Sequence, residues 1–73
     1  MPVNSEHAIL SVLDSHGELS LPRISELSKL SELETSSTLA GLVSQGYVGR
    51  SGNTFRIRFS GKEHLKELRK TGK

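Results

Sequence analysis

The side chains with most scope for chemistry in this 73-residue chain are three histidines, one aspartate, and a group of arginines and lysines crowded toward the C-terminus. His7 and His16 are nine positions apart, which puts them on opposite sides of a helix. A histidine near a helix end is most often a solvated group that complements the helix dipole. Asp14 is the only aspartate, and the many serines fall at caps and on surfaces. There is no cysteine, which excludes disulfides and zinc–thiolate sites. No enzyme activity, metal or cofactor is expected.

The cations invite a different chemistry. Phe55-Arg56-Ile57-Arg58-Phe59 alternates without error, so Phe55, Ile57 and Phe59 share one face of a strand and Arg56 and Arg58 the other. Arg50, Asn53 and Thr54 precede this run and Lys62 follows it. Such a group can neutralise phosphates, each contact adding roughly 0.9 to the slope of log affinity against log salt. Arginines on the solvent face of an edge strand also block aggregation.

The formal net charge of +2 conceals an asymmetry. Residues 1–49 carry two basic side chains, Arg23 and Lys29, against six acidic ones, a net −4. Residues 50–73 carry eight against two, a net +6. A basic last third on an acidic body points to an anionic partner for that third. No apolar run approaches the roughly 20 residues of a membrane span, and no signal-peptide pattern opens the chain. The expectation is a soluble, cytoplasmic protein of one domain spanning 1–73. A chain this short buries only about 60% of its unfolded surface, so its core must be compact and mostly helical.

The elements that position these residues follow from caps and periodicity. Asn4 or Ser5 can cap a first helix with Ile9, Val12, Leu13 and Ala8 inward, ended by Gly17. Glu18 and Leu19 make a short extended link. Ser20 caps a second helix, with Pro22 in its first turn and Ile24, Leu27 and Ser28 toward the core. Leu30 anchors the turn before Ser31; a longer helix running through Leu33 is the rival reading. Ser31 and Glu34 have the capping-box spacing, opening a third helix whose stripe is Thr35, Leu39, Leu42 and Val43. Gly46 stops it, and Tyr47 and Val48 start a strand. Residues 49–54 read as the turn of a hairpin. Ser60 and Glu63 make a second capping box for a last helix with Leu65 and Leu68 inward and Lys62, Lys66, Arg69 and Lys70 outward; Thr71 to Lys73 should fray. The fold class is α+β, mostly helical: three helices, a β-hairpin wing and a short C-terminal helix.

This order resembles the winged helix-turn-helix superfamily, and most of all the DNA-binding core of MarR-type regulators. His16-Gly17-Glu18-Leu19-Ser20, then Ser31, Leu39, Leu42, Gly46-Tyr47-Val48 and Phe59-Ser60-Gly61-Lys62-Glu63 carry the resemblance. It implies a small transcriptional regulator with the third helix in the major groove of double-stranded DNA and the wing along the flanking backbone. Glu34, Ser36, Ser37, Thr38, Gly41 and Ser44 would face the DNA from the helix. Arg50, Asn53, Thr54, Arg56, Arg58 and Lys62 would do so from the wing and its flank. The sequence departs from the family pattern at Ser37, where an arginine is common, and at Glu32 and Glu34, which are usually neutral or basic. No cation on the helix face can make the bidentate contact with guanine that is the commonest specific readout.

A grip of this kind requires the hairpin arginines on the side that carries Ser37. If they point elsewhere, a module that binds another regulatory protein through the small, weakly acidic face of the third helix takes its place. Leu10 and Leu33 are left outside the core by the helical phases, which would favour a homodimer with a closed two-fold interface.

Overall fold

The computed structural model describes residues 5–71, with side chains through Leu68. The order is α1 (Ser5–His16), β1 (Leu19–Ser20), α2 (Leu21–Ser28), α3 (Glu32–Ser44), β2 (Val48–Ser51), β3 (Thr54–Ile57) and α4 (Phe59–Thr71). The fold class stands as expected, with a minimal third strand completing the sheet.

Helix boundaries follow backbone chemistry. Gly17 closes α1 at φ +83°, its N–H on the Leu13 carbonyl at 2.9 Å. Ser20 sits at the cap of α2 in extended backbone with Pro22 in the first turn, but its hydroxyl makes no capping bond. α2 ends at Ser28, and Lys29 takes the left-handed conformation at φ +62°, which settles the break before Ser31. Ser25, which the sequence reading passed over, is buried and donates to the Leu30 carbonyl at 2.6 Å, bracing that turn.

The α3 cap forms as expected on one side: Ser31 Oγ accepts from the Glu34 N–H at 3.1 Å. The Glu34 carboxylate takes the hydroxyl of Ser5 at the start of α1. At the other end Gly46, at φ +84°, and Tyr47 donate to the carbonyls of Val43 and Leu42 at 3.0 and 2.9 Å. This left-handed closure turns the chain into β2.

The core is Ile9, Leu10 and Leu13 of α1, Ile24 of α2, Leu39 and Leu42 of α3, Val48, Phe55 and Leu65, with Thr35 buried among them. Leu10 is thus a correction: it is fully buried, because α1 packs on α2, α3, α4 and β3 and needs a stripe wider than Ile9 and Leu13 alone. Val12 and Ala8 are half-buried.

The sheet has strand order β1-β3-β2, all antiparallel. Its hairpin turn is only Gly52-Asn53, narrower than the 49–54 expected, with Gly52 at φ +60°. A two-residue turn of this hand needs positive φ and matches strand twist.

Beyond Ile57 the chain corrects the sequence reading again. Arg58 still pairs, its N–H on the Tyr47 carbonyl at 2.9 Å, but α4 begins at Phe59. Phe59 is therefore not on the inner strand face; it is 77% exposed. Gly61, Leu65 and Leu68 set the helical phase that faces the core, and Phe59 falls on the far side of it. Ser60 does not cap α4; its hydroxyl donates to the Gly46 carbonyl at 2.6 Å. Gly61 packs so tightly that a Cβ would lie 2.1 Å from the Tyr47 carbonyl oxygen. Tyr47 and His64 stack at 4.2 Å, and His64 Nε2 lies 3.3 Å from Glu6 of α1. α4 extends through Thr71, where fraying was expected. The expectations for Asn4, Gly72 and Lys73, and for the side chains of Arg69 and Lys70, lie outside the described residues.

Candidate nucleic-acid interface

Two surfaces hold the residues singled out from the sequence. The first is α3, whose stripe of Thr35, Leu39 and Leu42 is turned inward. This leaves Glu32, Leu33, Glu34, Ser36, Ser37, Ala40, Gly41, Ser44 and Gln45 exposed, with Thr38 half-buried at one shoulder. The helix is held at both ends, by the Ser31 cap and by the Gly46 closure, so this face is a fixed surface.

The second is the hairpin, and its register decides which way each cation points. Val48 pairs with Ile57, Gly49 with Arg56, Arg50 with Phe55 and Ser51 with Thr54. Directly opposed residues share a sheet face and alternate ones change face. Phe55 and Val48 are core residues, so Arg50 leaves the sheet on the core side, at the rim next to α3. Its guanidinium carbon is 5.9 Å from the Phe55 ring centroid, a cation–π distance, and its Nε donates to the Gly52 carbonyl at 3.2 Å. Arg50, Phe55 and Leu21 face Ser36, Ala40 and Val43 across a groove of about 390 Å³. A neighbouring hollow runs on to Gly52 and Asn53 at the tip.

Arg56 and Arg58 are on the other side. Arg56 opposes Gly49 on the outer sheet face, and both side chains lie over that glycine, with Arg56 Nε and Arg58 Cγ each 3.6 Å from where its Cβ would be. Glu18, Ser51 and the edge of Arg50 complete this outer concavity, and Thr54 offers its hydroxyl to the Glu18 carboxylate. Lys62 is exposed in the first turn of α4, one turn beyond Arg58, whose carbonyl accepts its N–H at 3.0 Å.

The structure therefore brings Arg50 and Asn53 to the α3 side and puts Arg56 and Arg58 on the outer sheet face, with Arg50 at the rim lining both the α3 groove and the outer concavity. The register corrects the expectation that all the hairpin arginines share a side with Ser37: Arg56 and Arg58 drop out of the expected grip, and the regulator reading is left resting on Arg50, the one hairpin arginine beside α3. The short turn held the signal: Gly52-Asn53 pairs Ser51 with Thr54, which puts Arg50 opposite Phe55 and off the face of Arg56. Gly61 and Ser25 are the positioning residues that sequence reasoning missed. A glycine three residues into a helix was the available sign for the first.

These features define a winged helix-turn-helix. Among solved structures, a MarR family transcriptional regulator from Silicibacter pomeroyi matches with a TM-score of 0.85 and 28% identity over 92% of this chain and 48% of its own. Bordetella bronchiseptica BpsR, described in a study of how 6-hydroxynicotinic acid regulates its DNA binding, matches with a TM-score of 0.85 and 13% identity over 92% of this chain and 52% of its own. Ligand-free NadR matches with a TM-score of 0.81 and 16% identity over 94% of this chain and 53% of its own. The chain spans about half the length of these proteins, and its fold is the one they share. No family model and no curated protein sequence matches it. No helix among the described residues is long and apolar enough to cross a membrane.

Proposed function

We propose that this chain is the DNA-binding module of a transcriptional regulator, setting α3 into the major groove of duplex DNA. The observation that carries the reading is the exposed, firmly capped face of α3 with Arg50 beside it across the groove. Ser36, Ser37, Thr38 and Ser44 supply hydroxyls for base edges or phosphates, and Gly41 allows close approach. Arg50 and Asn53 serve the flanking backbone. Glu34 can accept from a cytosine amine, but with Glu32 it also repels phosphates and lowers affinity. One copy therefore binds weakly, and a homodimer on half-sites about one helical turn apart supplies the remaining affinity. Such a regulator works in the cytoplasm, on the nucleoid.

Titration of labelled duplex at several salt concentrations tests this. Binding should weaken steeply with salt, and Arg50→Ala should flatten the slope by about 1 unit. Ser37→Ala should shift sequence preference more than general affinity. No binding near about 50 mM salt at tens of micromolar protein would overturn the reading.

A second reading has its own observation. Leu33 is 80% exposed at the start of α3, on a face that also presents Ala40 and Gly41. If α3 docks on another regulatory protein instead, Leu33→Glu abolishes that complex while duplex DNA is ignored.

A further inference from the structure

The outer side of the wing carries cations that the α3 groove does not use. Arg56 and Arg58 converge over Gly49, and neither has an ion pair or side-chain hydrogen bond among the described residues. With Glu18, Gly49 and Ser51, and with Arg50 at the rim shared with the α3 side, they line a concavity of about 360 Å³. Glu18 is the one carboxylate on its wall, and it is engaged by the Thr54 hydroxyl. Both side chains leave the same sheet face with no carboxylate paired to either among the described residues, and an anion on that face takes charge-assisted bonds from both.

Phe59 follows immediately. Its ring is 77% exposed because the core-facing phase of α4 belongs to Gly61, Leu65 and Leu68. Lys62, three residues on and exposed, neighbours Phe59 on the helix surface. Residues 56–62 thus place three cations and an uncovered aromatic ring where β3 passes into α4.

We propose that this surface is a second nucleic-acid site, one that takes a single strand. Arg56, Arg58 and Lys62 hold successive phosphates, and Phe59 stacks on an unpaired base. Stacking on an aromatic ring is what separates a single-strand site from a merely cationic one. In a duplex the base faces are covered by their neighbours, so Phe59 has nothing to stack on. An acidic peptide would satisfy the arginines and leave the ring unused. None of Arg56, Arg58, Phe59 and Lys62 lines the α3 groove, so the proposal goes beyond the regulator reading and does not depend on it.

The test uses the full chain and a fluorescein-labelled oligothymidine of about 12 nucleotides, with a duplex of equal length alongside, followed by anisotropy at several salt concentrations. Phe59→Ala should weaken single-strand binding about tenfold, the size of one stacked base. Phe59→Trp should keep it and Phe59→Leu should not. Arg56→Ala and Arg58→Ala should each flatten the single-strand salt slope by about 0.7. Duplex affinity should ignore Phe59→Ala. The site is overturned if Phe59→Ala leaves oligothymidine binding unchanged, or if polyglutamate displaces the oligonucleotide as well as its unlabelled form does. It is equally overturned if Phe59→Ala alters the sedimentation of the free protein, since the ring then belongs to a contact between copies. Single-strand binding without duplex binding upholds this site and removes the regulator reading; duplex binding alone does the reverse.

Discussion

The exposed face of α3 and the outer face of the wing are made of contrasting material. The helix presents serines, an alanine, a glycine and two glutamates on a backbone fixed at both ends. The wing presents two arginines with no ion pair among the described residues, set over a glycine, and an exposed phenylalanine one residue on. One is shaped for close fit with little charge, the other for adhesion with little shape. The difference teaches that a basic third of a chain does not say which surface is basic. Here the hairpin register does: it sends Arg50 toward α3 and Arg56 away from it.

The comparison can be broken at the seam that fixes α4. Gly61→Ala puts a methyl 2.1 Å from the Tyr47 carbonyl, which neither backbone can accommodate without moving. It should destabilise the protein by roughly 3 kcal/mol in urea melts, since overpacking at a rigid contact is expensive. Hydrogen exchange should show α4 losing protection while the α1–α3 helices keep theirs, because the damage lies on the wing side.

A smaller change acts beneath α3. Thr35 is fully buried, and its hydroxyl has no partner among the described residues. Thr35→Val keeps the branched shape and removes an unsatisfied polar group, so it should raise stability by about 1 kcal/mol. Both nucleic-acid affinities should stay put.

The smallest expected effect sharpens the contrast in charge. Glu32→Gln with Glu34→Gln should raise duplex affinity a few-fold and leave oligothymidine binding alone, as those carboxylates sit on the α3 side only. A rise in both affinities would mean that the two surfaces act as one diffuse field.

Most of the fold was legible because local signals agreed. The Ser31 cap, the Leu39–Leu42 stripe and Gly46 each specify the same helix, and alternation through Ile57 specifies the strand. Alternation then misled at Phe59, because the pattern could not register that α4 starts there to bring Gly61 against Tyr47. Leu10 escaped for a related reason: a helix wrapped by four elements buries more than one narrow stripe. Of the candidate site, the residue types were legible and their grouping was not. That grouping depends on which residues oppose each other across a two-residue turn, information carried by pairing rather than by any single segment.

The Tyr47–His64 stack has a practical consequence. The chain has one tyrosine and no tryptophan, so emission excited at wavelengths that phenylalanine does not absorb comes from a single ring wedged between the end of α3 and the first turns of α4. Light from that ring reports on whether the last helix is seated, without a dye or a tag. A ligand on either side of the wing that loosens or tightens the joint would change its brightness.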